Sequence, residues 1–142
     1  MKAIRVSFEE NAKPYYFNPN NLDLRDGEIV IVDTNGCRDN GRVVGKVFEL
    51  DEKQFDKELK KIIKKANHFD MEKIKENNEE ENSYFAIFKE KVEKHELELK
   101  PVRASLSFDG RKIIFFYFAE NKVDFRVLLK DLLTVIKIGR AS

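Results

Sequence analysis

The sequence VRASLSFDGRKIIFFYF, residues 102–118, decides the fold class. Apolar and polar residues alternate before Asp109-Gly110, and a run of aromatic and β-branched residues follows this dipeptide. Alternation with a period of two predicts a strand, and Asp-Gly between two strands predicts a hairpin turn. Residues 113–118 are apolar at every position, so we expect the second strand to be central, with both faces covered.

Helical patterns flank this hairpin. Asn67, with Asp70 three residues later, predicts the start of a long helix that ends near Glu96. Its middle, residues 77–82, is polar on every face, which predicts a solvated stretch, a kink or a contact surface. After the hairpin, Asp124 is predicted to cap a final helix with the apolar stripe Phe125, Leu128, Leu129, Leu132, Leu133 and Ile136.

The first fifty residues contain short β-branched and aromatic segments separated by Gly, Asn and Pro. This pattern predicts short strands, and the two glycines of segment 41–47 favour a strongly bent barrel strand. Residues 55–66 leave two alternatives open. Their apolar residues follow helical spacing, but a short lysine-rich segment is also typical of an edge strand.

We therefore predict an α+β protein in which a small SH3-like β-barrel, residues 1–66, packs on an α+β half, residues 67–142. That half contains the long helix, the hairpin and the C-terminal amphipathic helix. At ~100 to 200 residues per domain, a chain of 142 residues fits a single compact unit.

The composition excludes several classes of protein. Cys37 is the only cysteine, so the chain cannot form an internal disulfide, a four-cysteine zinc site or an iron–sulfur cage. The longest apolar run, residues 113–119, is far shorter than the ~20 residues needed to span a bilayer. We expect a cytoplasmic protein with no cofactor and no direct membrane insertion.

Catalytic motifs are also missing from the sequence, so we predict no catalytic residue and no enzyme activity. His68 and His95 lie near opposite ends of the predicted long helix and cannot share a metal ion. His95 suits the helix C-terminus, where a charged imidazole is stabilised. Cys37 is interpreted as a small residue at a strand edge rather than a redox group.

Charged residues supply the candidate binding sites. The net charge is only +1, but residues 98–142 carry nine Lys and Arg against five Asp and Glu. The candidate nucleic-acid contacts are Lys57, Lys60, Lys61, Lys64, Lys65, Arg103, Arg111 and Arg126. Asp56 and Glu58 interleave with the lysines, which favours a solvated face as the alternative. The candidate partner-binding residues, in the polar middle of the long helix, are Asn78, Glu79, Glu80 and Glu81.

Several short motifs, in their order along the chain, resemble the PSP-one C-terminal-domain family as far as about Leu133. The motifs occupy residues 15–19, 22–32, 41–45, 108–112 and 123–126. In relatives the stretch that matches Leu59 to Ala66 is similar to a strand. The family also has a cysteine-containing region associated with iron–sulfur clusters, and the ligand cysteines are absent from this sequence.

The resemblance implies a cytoplasmic regulatory adaptor of the kind first described in sporulation. Such proteins assemble with small helical regulatory proteins into a complex that directs the endoribonuclease Y in mRNA processing. That complex affects sporulation, competence and biofilm formation. Eukaryotic relatives are linked to RNA binding, so the alternative is a direct RNA- or DNA-binding module that uses the basic residues.

Overall fold

Strands precede and follow one long helix in the structure, a computed structural model that describes residues 1–9, 12–54 and 58–136. The elements are β1 (Lys2–Ser7), β2 (Tyr15–Phe17), β3 (Ile29–Thr34), β4 (Cys37–Glu49), a 3-10 turn (Glu52–Gln54), β5 (Ile62–Lys65), α1 (His68–Lys94), β6 (Lys100–Leu106), β7 (Ile113–Phe118) and α2 (Arg126–Val135). The predicted α+β class is confirmed. The chain divides within α1 into unit 1, Met1–Lys73, and unit 2, Ile74–Ser142, whereas the sequence prediction divides it before α1.

The β3–β4 hairpin is central to the sheet of unit 1. Its turn is Asn35-Gly36, whose φ angles of 52° and 86° suit a tight two-residue turn. Asn and Gly adopt this left-handed region at the lowest cost. Strands β1 and β2 extend the sheet beyond β4, and β5 extends it beyond β3. The order is β2-β1-β4-β3-β5, with every pair antiparallel.

The predicted SH3-like barrel is not found, because the described strands of unit 1 do not close into a continuous ladder. The edges near β2 and β5 meet only at an isolated parallel bridge between Asn18 and Lys61. There the Asn18 N–H donates to the Lys60 carbonyl at 2.8 Å, and the Ile62 N–H donates to the Asn18 carbonyl at 3.0 Å. Asn20, the next residue in line to bond to this edge, has a positive φ of 56° and donates from its side-chain Nδ2 to the Ile62 carbonyl at 3.0 Å, so the ladder does not continue.

Side chains from all five strands of unit 1 form its apolar core. The buried residues are Ile4, Val6, Phe17, Leu24, Val30, Val32, Val43 and Ile62. Gly41, on β4, is buried against Val6 of this core and against Phe8, which packs on it. A Cβ at Gly41 would overlap Val6 Cγ1 and lie 3.1 Å from the Phe8 ring. Close approach of β1 and β4 therefore requires glycine at this position.

Strand β5 resolves the two alternatives for residues 55–66 over part of that segment. Ile62–Lys65 is an edge strand that pairs with β3, with Ile31 opposite Lys64 and Val30 opposite Lys65. Over these residues the edge-strand alternative is confirmed and the helix is wrong. Ile62 enters the core, and this contact outweighs the helical spacing of the apolar residues. Residues 55–57 lie outside the described residues.

The start of α1 is fixed by reciprocal hydrogen bonds. The Asp70 N–H donates to Asn67 Oδ1 at 2.9 Å, and the Asn67 N–H donates to Asp70 Oδ2 at 2.9 Å. This is the predicted capping box, with Asp in place of the more common Glu or Gln, and it satisfies backbone donors that the first turn leaves without helical partners. The helix then runs for 27 residues, to Lys94.

The β6–β7 hairpin of unit 2 confirms the predicted pairing of residues 102–118, with Leu106 opposite Ile113 across the turn. The Ser107 hydroxyl donates to Asp109 and accepts the N–H of Lys112, and Gly110 has a φ of 72°. The predicted central position of β7 is wrong, because among the described strands it pairs only with β6. Accordingly, Ile114, Tyr117 and Phe118 are exposed.

Helix α2 uses only part of its predicted apolar stripe. Leu128, Leu132 and Ile136 are buried against Phe88 and Val92 of α1. The remaining leucines, Leu129 and Leu133, are exposed. The predicted cap is displaced by one residue, since Phe125 occupies the N-cap position and makes no side-chain cap hydrogen bond. Asp124, just before it, accepts the N–H of Arg126 at 3.1 Å.

Replacing Gly41 with alanine tests the close approach of β1 and β4. We expect the free energy of unfolding to fall by about 1–3 kcal/mol, because the added methyl group must displace Val6 or Phe8. Urea denaturation measures this loss. Gly36→Asn is the control, since the space around Gly36 is open and Asn tolerates a positive φ. An equal loss in both variants would contradict the packing explanation.

Candidate functional site

Two of the candidate lysines already have carboxylate partners within unit 1. Lys64 Nζ lies 2.9 Å from Asp70 Oδ2, and Lys65 Nζ lies 3.3 Å from Glu28 Oε2. These contacts stabilise the ionised form of the two carboxyl groups. The capping N–H of Asn67 and the ammonium of Lys64 lower the pKa of Asp70 against the opposing effect of burial. Lys64 and Lys65 therefore stabilise the junction of β5 with its neighbours.

The remaining candidate lysines form a smaller basic surface. Lys60 is exposed and donates to Asn35 Oδ1 at 3.1 Å, and Lys61 is also exposed. Neither forms an ion pair with a carboxylate in the part of the chain that the structure describes. Lys57 lies outside that part. Lys60 and Lys61 are thus the lysines of this group that are best placed to meet an external anion.

The three candidate arginines lie on different elements of unit 2. Arg103, on β6, has its Cζ 3.8 Å from the ring centroid of Phe116 across the hairpin. Arg111 is exposed in the β6–β7 turn. Arg126, at the start of α2, pairs with Asp124 at 2.7 Å and lowers the pKa of that carboxyl. The structure assigns Arg126 an acidic partner of its own.

The polar middle of α1 separates into two groups. Asn77 and Glu81, four residues apart on one face, contact the hairpin of unit 2. Asn77 Nδ2 donates to the Phe108 carbonyl at 3.0 Å, and Glu81 Oε2 accepts the Leu106 N–H at 2.6 Å. Burial raises the pKa of Glu81, with this hydrogen bond acting in the opposite direction. Asn78, Glu79 and Glu80 are exposed and remain the accessible part of the predicted partner-binding group.

A cluster of charges that sequence reasoning missed joins the two helices of unit 2. Asp131 on α2 lies 3.2 Å from Lys91, 3.2 Å from Lys94 and 2.8 Å from His95. His95 first, and then the two lysines, lower the pKa of Asp131 to about 2. The signal in the sequence is the spacing of Lys91, Lys94 and His95, which places three basic groups on one helix face.

The exposed part of α2 forms an apolar ridge beside β7. Phe125, Leu129 and Leu133 are four residues apart in succession and therefore follow one line along the helix. Tyr117 of β7 meets the start of this line, with its ring centroid 5.1 Å from that of Phe125. Asp131 faces α1, so Leu129 and Leu133 lie on the other flank of the helix. We call Tyr117, Phe125, Leu129 and Leu133 the apolar ridge.

The described side chains of the types that bind metals do not form a cluster. Among the described residues, no three His, Cys, Asp or Glu side chains form a cluster that could hold a metal ion. An iron–sulfur cluster needs several thiolates, and Cys37, partly exposed at the start of β4, is the single cysteine, so these residues do not fit that cofactor. No described helix is long and apolar enough to cross a membrane.

Changes at Glu81 test its contact with β6. Glu81→Ala should lower the free energy of unfolding by about 1–3 kcal/mol, because the Leu106 N–H loses its partner. Glu81→Gln keeps an acceptor oxygen and removes the buried charge. Because burial raises the pKa of Glu81, ionisation costs stability as the pH rises through that pKa. Glu81→Gln should therefore be at least as stable as the wild type at pH 7, with any gain lost below about pH 4.

Denaturation of these variants at both pH values provides the measurement. The control is Glu79→Lys combined with Glu80→Lys, which changes two exposed side chains on the same helix and should leave stability nearly unchanged. If the control lost as much stability as Glu81→Ala, the charge of the helix, rather than the contact with β6, would determine the stability.

Asp131→Asn tests the charge cluster through its pH dependence. The pKa of Asp131 is lower in the folded chain than in the unfolded chain, so its contribution is complete above about pH 4 and is lost as the pH falls toward 2. The variant should be less stable than the wild type at pH 7, and the two should converge at low pH. Thermal melting across this range measures the difference. A gap that stays constant with pH would rule out the ionic explanation.

Comparison with known proteins identifies the family. The chain matches the PSP1 C-terminal conserved region over residues 60–139. It is 37% identical over 135 residues to the stage 0 sporulation protein YaaT of Bacillus subtilis, covering 95% of this chain and 49% of that protein. An uncharacterized protein of Schizosaccharomyces pombe is 27% identical over 110 residues, 78% of this chain and 14% of that protein.

The chain spans half or less of the length of these curated relatives. No solved structure matches it. The family match covers more than half of the chain, from the segment before β5 to beyond the end of α2, and it confirms the resemblance seen in the motifs. The chain belongs to the PSP1 C-terminal family and is similar to YaaT along nearly its whole length.

Proposed function

We propose that the chain is a noncatalytic regulatory module that acts by binding protein partners. The similarity to a stage 0 sporulation protein supports a role in a regulatory process of this kind. More specifically, we propose that the chain has the role expected of YaaT, also called RicT. It joins small helical regulatory proteins in a complex that directs endoribonuclease Y-dependent mRNA processing.

The observation that carries the proposal is the apolar ridge, together with the edge of β7 that no described strand pairs with. Leu129 and Leu133 are 55% and 63% exposed, and Tyr117 is 44% exposed. Adjacent exposed apolar side chains are typical of a surface that another molecule covers, since their burial releases ordered water. The strand edge adds backbone groups that can pair with a partner in extended conformation.

The titratable groups of unit 2 support a binding role rather than catalysis. Asp131 is held by Lys91, Lys94 and His95, and Glu81 by the Leu106 N–H. Each of these carboxylates fixes one element against another. The exposed group on α1, Asn78, Glu79 and Glu80, offers a polar contact for a partner in addition to the apolar ridge.

Direct nucleic-acid binding is the second candidate. It is favoured by Lys60 and Lys61, which are exposed and free of carboxylate partners among the described residues. Such ammonium groups bind phosphates with an affinity that falls steeply as salt is added. This alternative uses unit 1, whereas the apolar ridge belongs to unit 2.

A capture experiment from lysate of the source organism tests the leading proposal. The tagged chain is compared with Leu133→Asp and with Val127→Asp, which introduces the same charge on the same helix at a position of nearly equal exposure, 62% against 63%. We expect helical regulatory proteins and the ribonuclease to be captured and to persist after ribonuclease treatment. Leu133→Asp should lose them at least tenfold, by about the effect of a buried hot-spot residue, and Val127→Asp should not.

Two outcomes would contradict the proposal. Loss of the captured proteins after ribonuclease treatment would show that RNA bridges them to the chain. Equal loss in Leu133→Asp and Val127→Asp, with unchanged melting temperatures, would show that the apolar ridge is not the contact surface.

A further inference from the structure

Three side chains gather on the face of the unit 1 sheet that points away from its core. Arg5 of β1 lies directly opposite Tyr16 of β2. Their neighbours Ile4 and Phe17 enter the core, so alternation places Arg5 and Tyr16 on the outer face. Phe48, on β4 opposite Ala3, completes the group, which we call the outer-face cluster. Sequence reasoning did not name any of these three residues as a binding residue.

The guanidinium of Arg5 packs against both rings. Its Cζ is 4.2 Å from the ring centroid of Phe48 and 5.6 Å from that of Tyr16. The two rings meet edge to face, with centroids 5.5 Å apart and planes at 71°. These contacts orient the guanidinium without using its N–H donors. Among the described residues no carboxylate forms an ion pair with Arg5, so none of them neutralises its charge.

An exposed lysine lies beside this cluster. Asn18 follows Tyr16 by two residues on the same side of the chain, and its bridge partner is Lys61. Ile62 enters the core, so Lys61 faces outward, as Tyr16 does. At about 3.3 Å per residue along a strand and about 5 Å between strands, the Lys61 backbone is roughly 8 Å from that of Tyr16. Arg5 on β1 and Lys61 therefore lie on opposite sides of the segment that carries Tyr16.

We propose that the outer-face cluster and Lys61 bind single-stranded nucleic acid. One base stacks on the aromatic surface of Tyr16, which is 36% exposed. The oriented guanidinium of Arg5 donates to a phosphate in the bidentate manner that arginine favours, and Lys61 neutralises a second phosphate of the same strand. The inference deepens the nucleic-acid alternative by assigning it a site, and it does not depend on the apolar ridge of unit 2.

A single strand fits this surface better than an acidic peptide does. A carboxylate side chain would use the charges of Arg5 and Lys61 but would gain little from an aromatic face. A nucleotide offers both an anion and a flat ring, and stacking tolerates any base. RNA and DNA share this chemistry, so both serve as probes.

The test is fluorescence anisotropy with labelled oligouridylate and oligodeoxythymidylate of about 20 nucleotides, long enough to span a site of this type. The chain is compared with Tyr16→Leu, Arg5→Lys and the control Tyr15→Leu. Tyr15 is the neighbouring tyrosine on the opposite face of the strand, where it is 65% exposed and packs against Phe8 at 5.9 Å between centroids, away from Arg5 and Lys61. Thermal melting of each variant establishes that it is folded.

Tyr16→Leu should weaken binding about tenfold or more, and Tyr15→Leu should not. Arg5→Lys should also weaken binding although it keeps the charge, because the planar donor is lost. Lys61→Glu should reduce the dependence of affinity on salt by about one phosphate contact. Binding of both probes, or of RNA alone through an added contact to the 2′-hydroxyl, would support the site.

Other results would overturn the inference. Equal affinities of folded Tyr16→Leu and Tyr15→Leu would remove the stacking surface from the site. Loss of binding in Lys60→Glu with Lys61→Glu, together with full binding in Tyr16→Leu and Arg5→Lys, would leave only a general basic patch. Absence of binding at low salt would reject nucleic-acid binding altogether, while the capture experiment on the apolar ridge would remain independent of that result.

Discussion

A two-stranded hairpin buries too little surface to be stable by itself in water, and unit 2 is built around this constraint. Helix α1 places Asn77 and Glu81 against the end of β6, where they bind the Phe108 carbonyl and the Leu106 N–H. Polar residues in the middle of an otherwise amphipathic helix thus satisfy backbone groups of a strand. The stacked rings of Phe88 and Phe115, 4.6 Å apart, attach the same helix to β7. These contacts satisfy backbone groups at the end of β6, whereas β7 pairs only with β6 among the described strands.

The sequence predicted those features that depend on neighbouring residues. The Asp109-Gly110 hairpin, the Asn67–Asp70 capping box and the buried leucines of α2 were each visible in local patterns. The barrel and the central position of β7 were wrong, because both depend on which strands are neighbours in space. An all-apolar strand has the same sequence whether a second strand or a partner covers it.

The candidate sites were harder to predict, because charged residues were counted without their partners. Lys64, Lys65 and Arg126 resemble free cations in the sequence, but Asp70, Glu28 and Asp124 lie beside them in the structure. The opposite error concerns Arg5, the single arginine of β1, which was not predicted to be a binding residue. Its two aromatic neighbours come from residues 11 and 43 positions away, so only the strand register brings them together. Cross-strand contacts of this kind have no signature in a local window.

The edge strands of the two sheets differ in how well they are protected against pairing with another chain. Near β5, lysines line the edge and the bridge from Asn18 to Lys61 occupies part of its backbone. Strand β7 has the sequence IIFFYF, with no charge at any of its six positions. Unpaired apolar edges of this type promote association between identical chains. We therefore expect the solubility of the chain to depend on whether this edge is occupied, so that production in excess of whatever covers it would favour aggregation.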